Sequence, residues 1–452
     1  VLFFGRTDLE TRNSAMPMQL RFYYNSSANE TDYGYGLGFS LGYEMRYSVD
    51  SEGNVTIETG DGRTDIFTRF GKEYQAPAGV FSVLTKEEGQ YTLTEKTGEK
   101  YLFADTIHCR VTGIADRYEN LTTLTYQDSL LVRISDAANH VIDLSYSNGL
   151  LTNAWASFQQ GSFSYEYDSS RRLKKITNPM GYTTLYGYTK EGRLNEITDA
   201  NGYKTIFAYN NSSMVSRMKT DVTDKSIRYD GDKTVFIDYT YPGNQYSYYR
   251  WDGKGRVIEK VGLCCGTQSS LEYDIDDNVI RMVDGNDHAT EYTYDKNGNM
   301  LSLTDALGNS ERFTYEPVFN QVATYSDKNG NSYSFSYDGH GSLTSMSGPL
   351  GFSQRNTYDT HGWPLTSTDA NGNVTTTSYN DDGTTASTMD AAGNITRYEY
   401  DSYGNIASVT DPLGRVTRYG YDAMGRVASI IDALGGVCLL YTSPSPRDRT
   451  RS

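Results

Sequence analysis

A tyrosine followed by aspartate, or a near relative of that pair, returns along the chain at Tyr167, Tyr188, Tyr209, Tyr273, Tyr294, Tyr315, Tyr337, Tyr358, Tyr379, Tyr400 and Tyr421. The step is 21 residues, with one of 22 and one gap of 64 between Tyr209 and Tyr273. A second mark keeps the same step: Asp305-Ala-Leu-Gly308, Asp369-Ala-Asn-Gly372, Asp390-Ala-Ala-Gly393, Asp411-Pro-Leu-Gly414 and Asp432-Ala-Leu-Gly435. A fixed period of this size marks a repeat architecture, in which no unit can bury a face alone. Function is then a property of the array rather than of one pocket.

One unit shows how the array is built. Tyr398-Glu-Tyr-Asp-Ser-Tyr-Gly-Asn405 is followed by Ile406-Ala-Ser-Val-Thr410, Asp411-Pro-Leu-Gly-Arg415 and Val416-Thr-Arg-Tyr-Gly-Tyr421. Asp first and Gly fourth reads as a type I turn, with the Asp side chain bonding the backbone two residues on. The recurring structural positions are therefore Tyr294, Asp295, Gly298, Asp305 and Gly308; Tyr358, Asp359, Gly362, Asp369 and Gly372; Tyr400, Asp401, Gly404, Asp411 and Gly414; and Tyr421, Asp422 and Gly425. Turns about ten residues apart, joined by short stretches rich in Thr, Tyr, Val and Ile, predict an all-β meander. A helical period is not found. Alternation puts Thr417, Tyr419 and Tyr421 on one face, with Val416 and Arg418 on the other. Tyrosines of successive units are expected to stack into cross-strand ladders.

Two strands per unit over roughly thirteen units give on the order of 25 strands, and open twisted sheets rarely exceed about 10 without curling. The expected fold is all-β: a long antiparallel sheet of tandem hairpins curling into a spiral or hollow shell. Composition agrees. Apolar residues are only 37%, and the aromatic load is 40 Tyr against 16 Phe and 3 Trp. Tyrosine covers a face while leaving its hydroxyl in water, which suits a sheet wet on one side or partly wet on both. The net charge of -16 argues against nucleic acid, which needs a basic face. No apolar run is long enough for a spanning helix.

Residues 1–105 lie outside the period and read as a β-rich region preceding the repeats, with strands such as Gln19–Tyr24 and Val55–Thr59. Within it, Tyr33-Gly-Tyr-Gly-Leu-Gly-Phe39 reads as backbone packed tightly under rings, not as a phosphate loop, whose spacing it lacks. Residues 106–435 form the array, with an irregular segment at about 210–262 that reads as an insertion or as a seam between curls. Residues 436–452 read as an unstructured tail, and the Ser/Pro/Arg-rich run from 439 looks like translated adaptor sequence. The missing initial methionine leaves any export signal out of view.

Site chemistry is sparse. Asp295-Lys-Asn-Gly-Asn299 and Asp327-Lys-Asn-Gly-Asn331 set oxygens at alternate positions, yet neither has the sixth-position Gly and twelfth-position Glu of a calcium loop. Turn chemistry accounts for both, Asn-Gly being the favoured tight-hairpin pair. His108, His140, His288, His340 and His361 show no metal-ligand spacing, and no nucleophile elbow occurs. The vicinal Cys264-Cys265 has no C-x-x-C partner, with Cys109 and Cys438 elsewhere. Asn-x-Ser/Thr triplets start at Asn25, Asn29, Asn54, Asn120, Asn210, Asn211, Asn373 and Asn394, as chance allows in such a composition. No catalytic residue, cofactor or metal is expected.

The repeat Y-x-Y-D-x-x-G-N/R, with its following D-x-x-G-N/R, resembles that of the RHS/YD-repeat proteins. Leu20-Arg-Phe-Tyr-Tyr-Asn-Ser26, Gly36-Leu-Gly-Phe-Ser-Leu-Gly-Tyr43, Gly60-Asp-Gly-Arg63 and Tyr74-Gln-Ala-Pro-Ala-Gly79 are similar to the segment preceding the repeats in bacterial members. The resemblance, over residues 12–435, implies a piece of a large secreted or cell-surface protein whose repeats wind into a β-shell. In bacterial members such a shell encloses a C-terminal toxin, which implies that cargo as a partner, together with an immunity protein or secretion-system component. In the related teneurins it serves adhesion, so a carbohydrate-binding or adhesive surface protein contacting cell-surface glycans is the alternative. Asp411-Pro-Leu-Gly414 is similar to part of the self-cleaving junction of the family, but Arg415 stands where that junction has Leu, and sister repeats favour a plain turn.

Overall fold

The computed structural model describes residues 2–11, 16–104, 107–240, 245–262 and 268–440. Strands make up 54% and helix 1%, the latter being the single turns Ser26–Ala28 and Pro349–Gly351. One antiparallel sheet of 35 strands runs from Val83–Glu87 to Val437–Leu439. Each strand pairs with the next in sequence, and no described pairing joins the last strand to the first, so the sheet is open.

The ladder is longer than the repeats alone suggest. It begins with the hairpin Val83–Glu87 and Gln90–Thr94, which pairs by backbone and alternation without any Tyr-Asp mark. It also runs unbroken through the irregular segment, where Asp224–Asp230, Lys233–Asp238 and Gln245–Trp251 pair in sequence. The pairings of Lys233–Asp238 with Asp224–Asp230 and with Gln245–Trp251 lack the bulge found in regular repeats, which returns at Trp251 opposite Val257. At the far end, Val437–Leu439 pairs with Val427–Ile431, so structure continues past the start of the expected tail.

The sheet curls until its later part returns against its earlier part. Arg117 Nη1 donates to the Gly341 carbonyl at 2.9 Å across 224 residues, and Asn120 Nδ2 to the His361 carbonyl at 2.9 Å across 241. Successive tiers of a spiral thus meet turn on turn, along a seam that contains no strand pairing among the described residues.

Residues preceding the ladder form two small sheets, Phe3–Glu10, Gln19–Asn25 and Phe39–Leu41, then Arg46–Val49, Val55–Glu58, Thr64–Phe70 and Glu73–Gln75. They plug the first tier. Leu9, Leu20, Phe22, Tyr24 and Phe39 share one core with Ile134, Ile142, Phe163, Tyr165 and Leu194 of the wall. Phe22 meets Tyr165 at 5.6 Å and Phe39 meets Tyr186 at 5.9 Å between ring centroids. Polar pins reinforce the plug: Tyr165 donates to Asp8 Oδ2 at 2.8 Å, and the Leu194 amide donates to the Tyr24 hydroxyl at 2.9 Å. The wall thereafter is bare, for among the described residues no apolar side chain after Val215 is buried.

Candidate functional site

The repeated positions build two devices, a turn and a stitch. In the turn Asp390–Asn394, the Asp390 amide donates to the Asn394 carbonyl at 3.0 Å and Gly393 donates to the Asp390 carbonyl at 3.0 Å. Asp390 Oδ1 accepts from the Ala392 and Asn394 amides, each at 2.9 Å, while Oδ2 accepts from Asn394 Nδ2 at 2.8 Å. The bond two residues on was legible in the sequence. The fifth-position partner was not, and it explains why Asn or Arg follows the glycine. Arg415 fills that place against Asp411 at 2.6 Å, so Asp411–Gly414 has the same turn as its sisters. Hydrogen bonds from Asn394 hold Asp390 below the ordinary carboxylate range, and the Lys328 ammonium with its neighbours brings Asp305 to about 2.

Asp295 and Asp327 make the same turn bonds. Asp295 accepts from the Asn297 and Asn299 amides at 2.9 Å and from Asn299 Nδ2 at 2.9 Å; Asp327 repeats the pattern at 2.8 Å. Both carboxylates are occupied by their own turn, and among the described residues no metal-binding cluster forms. Asn297-Gly298 is not the central pair of a two-residue hairpin. The loop is a wider one closed by the Asp295 amide on the Asn299 carbonyl, with glycine in the left-handed position at φ +68°. The tight form occurs instead at Asn148-Gly149, between the partners Ser147 and Leu150.

The tyrosine sits at a β-bulge. Tyr294 pairs with Met300 while Thr293 pairs with Ser302, so Leu301 is the extra residue. A bulge interrupts the ladder and leaves a carbonyl without its regular partner. The hydroxyl of the next unit's tyrosine takes it: Tyr315 donates to the Met300 carbonyl at 2.7 Å, 15 residues back. The same stitch joins Tyr294 to Val279, Tyr358 to Leu343, Tyr400 to Thr385 and Tyr421 to Ile406, each at 2.9 Å. Among the described residues, Tyr294, Tyr315, Tyr337, Tyr358, Tyr379 and Tyr400 form no ring-on-ring ladder with one another. Tyrosines of successive units stand two strands apart, about 9.6 Å at normal strand spacing, beyond ring contact. Ring stacking occurs instead across neighbouring strands, as in Phe313–Tyr325–Tyr333 at 5.0 and 5.7 Å.

Tyr167 departs from the pattern, since its hydroxyl is buried without a partner and burial pushes its pKa up. Here the glycine-aromatic segment lies along the rim: Leu151 donates to the Gly34 carbonyl at 2.8 Å, and a Cβ on Gly36 would lie 3.0 Å from the Tyr167 ring. The expectation of backbone under rings holds for Gly36 and its neighbour Gly38.

The seam brings repeat positions of the two tiers together. Tyr118 stacks on His340 at 4.6 Å and donates to Ser342 Oγ at 2.5 Å. Its ring fills the space beside Gly362, where a Cβ would sit 2.5 Å away. Phe81 covers Gly298 in the same manner, and Asn320 Nδ2 donates to the Lys96 carbonyl at 3.1 Å. A cleft of about 310 Å³ opens on the seam among Asp8, His140, Phe158, Thr384 and Tyr403. The Asp136 carboxylate, 2.8 Å from His140 Nδ1, raises that imidazole above its usual pKa. Cys264 and Cys265 lie outside the described residues; Cys109 is half-buried and Cys438 exposed. No described helix is long and apolar enough to cross a membrane.

Comparison with known families matches the RHS repeat over residues 167–204, 379–415 and 400–437. The teneurin YD-shell matches over residues 248–363. A domain of unknown function, DUF6531, matches over residues 2–67. No curated protein matches the chain. Among solved structures, the crystal structure of TcdB2-TccC3-TEV is similar with a TM-score of 0.51 at 12% identity, over 91% of this chain and 26% of that one. A Photorhabdus luminescens Tc holotoxin pore structure gives 0.45 at 10% identity, over 95% of this chain and 30% of that one. This chain thus spans well under half the length of the solved chains it resembles, and at such identity the likeness concerns the fold. Tyr-Asp turns, bulge stitches and the family matches agree: the chain is an RHS/YD-repeat protein.

Proposed function

We propose that this chain is the non-catalytic wall of a secreted or cell-surface shell that encloses and delivers a toxin domain carried C-terminal to the repeats. One observation carries the reading. The wall curls tier upon tier, yet among the described residues past Val215 it buries no apolar side chain of its own, which leaves its face available to something else. The N-terminal plug supports the same role, because it closes the first tier with a dry core. Repeated turn carboxylates such as Asp390, Asp295 and Asp327 accept hydrogen bonds within their own turns, which supports a structural role for the array.

The test is to express the protein to its natural stop codon and assay the part beyond the repeats for toxicity in a host cell, with and without the shell. Enclosure predicts a distinct globular domain, toxic alone and silent inside the shell. A continuation made only of repeats or a surface anchor would sink the proposal. Exposed Tyr239, Tyr246 and Tyr249, at 44%, 57% and 37%, favour adhesion to glycans as a second reading. Glycan-array binding lost in Tyr246→Ala would support it.

A further inference from the structure

The face of the wall turned away from the plug changes character along the chain. Its residues alternate with the plug-facing Ile134, Tyr165, Ile197 and their successors, so Arg133, Glu166, Glu196, Arg217 and Glu272 share it. Up to Arg281 these charges are paired across strands: Arg133 with Asp143 at 2.7 Å, Glu166 with Lys175 at 2.5 Å, Glu196 with Lys204 at 2.9 Å, Arg217 with Asp224 at 2.5 Å and Glu272 with Arg281 at 2.8 Å. From Ser310 onward the pairing stops. Arg312, Arg355, Arg397 and Arg418 hold one repeat position on this face, and all four are exposed. Among the described residues none of them makes an ion pair or a side-chain hydrogen bond. In the described strands from Ser310 to Ile431 the one acid on this face is Glu399, which accepts from Ser408 Oγ at 2.8 Å. In a chain of net charge -16, this stretch is locally basic.

Hydroxyls flank the arginines. Directly opposite on the neighbouring strands stand Ser302 and Ser326 for Arg312, Ser345 and Thr368 for Arg355, and Ser387 and Thr410 for Arg397; Arg418 has Ser408 on one side. Opposed Cβ atoms lie about 4.5–5.5 Å apart, so a guanidinium and its two hydroxyls can close on one anion. A carboxylate presents two acceptor oxygens and a terminal phosphoryl group three, and a fork with a hydroxyl on either side suits the phosphoryl group. Successive arginines stand two or four strands apart, about 10 or 19 Å at normal strand spacing.

We propose that this row binds a linear phosphate polymer, one phosphoryl group to each arginine, laid along the curve of the wall. Curvature selects a flexible chain over a membrane: residues 312–418 take up about half of the 224 that separate the tiers, so a flat bilayer would reach only part of the row. The side chains between the arginines select bare phosphates over nucleic acid, because the described strands from Ser310 to Ile431 carry no aromatic ring on this face on which a base could stack. The inference concerns the face opposite the tyrosines and is independent of the casing role.

The experiment measures binding of the full chain to long-chain inorganic polyphosphate across a salt series, beside heparin, a single-stranded oligonucleotide and phosphatidylglycerol vesicles. With four contacts, the logarithm of the affinity should fall against that of salt with a slope of about -3. Arg355→Gln should reduce the slope by about 0.7, whereas Arg355→Lys should keep the slope and weaken binding, since the charge stays and the fork is lost. Glutamine at all four positions should abolish binding. Arg281→Gln, on the same face but already paired with Glu272, should leave it unchanged. Failure to bind polyphosphate, tighter binding to heparin, oligonucleotide or vesicles, or equal losses from Arg281→Gln and Arg355→Gln would overturn the proposal. None of these outcomes bears on a toxic domain, so failure here is separable from failure of the casing role.

Discussion

The stitch makes a prediction whose sign changes between neighbouring repeats. In Tyr188→Phe the ring stays, but the bond to the Leu173 carbonyl, 2.6 Å long, is lost at a partly buried site. A hydrogen bond of this kind contributes about 0.5–1.5 kcal/mol net, and leaving its acceptor unsatisfied pushes the loss to the upper end. One unit earlier, Tyr167→Phe removes a hydroxyl that is buried without a partner. Desolvation of that group costs about 1–3 kcal/mol, so its removal should be neutral or stabilising by about 1 kcal/mol. Solenoid walls unfold locally, so the appropriate assay is hydrogen exchange of peptides covering 162–198 rather than a melting temperature. In Tyr188→Phe the strands Leu173–Thr177 and Thr183–Tyr188 should exchange roughly five- to tenfold faster, since about 1.4 kcal/mol is a factor of ten. In Tyr167→Phe exchange should be unchanged or slower. Equal destabilisation by both substitutions would mean that ring packing, not the hydroxyl bond, joins the units, and the reasoning would fail.

Three further outcomes follow from the same geometry. Gly362→Ala puts a Cβ 2.5 Å from the Tyr118 ring at φ +88°, so beyond roughly 1–2 kcal/mol of backbone strain it should part the tiers, read as faster exchange at both 116–120 and 338–342. Asp390 is held below its ordinary value of 3.8 by its hydrogen bonds from Asn394, and Asp305 is brought to about 2 by Lys328. Stability from these groups is therefore present above about pH 4 and is lost as pH falls toward 2; a circular-dichroism acid titration should show this, and Asp390→Asn, which Asn178 and Asn210 mimic in sister turns, should hold its turn at low pH. Asp8→Ala strips the buried Tyr165 hydroxyl of its acceptor and should loosen the plug by about 1–3 kcal/mol, seen as faster exchange in Phe3–Glu10 with the wall beyond 268 unchanged.

Much of this molecule was legible one unit at a time. Asp first and Gly fourth imply the turn, and alternation in stretches such as Val416–Tyr421 implies the strand, because both depend on contacts between residues a few positions apart. Strand number therefore implied a curl. What periodicity could not show was continuity without its mark: Val83–Glu87 and Lys233–Asp238 join the ladder through backbone bonds that any alternating stretch can make. Nor could it show the role of the tyrosine, whose hydroxyl answers a carbonyl freed by a bulge in the preceding unit.

By itself the sequence determined that this chain is a repeating antiparallel wall, since turn and strand preferences act within a single period. Only the tertiary structure decided how the wall closes. The pitch that sets Arg117 against Gly341 accumulates from small twists over 224 residues, and no local pattern encodes such a sum. It is that sum which sets the Tyr118 ring beside Gly362 across the seam, 2.5 Å from where a Cβ would sit.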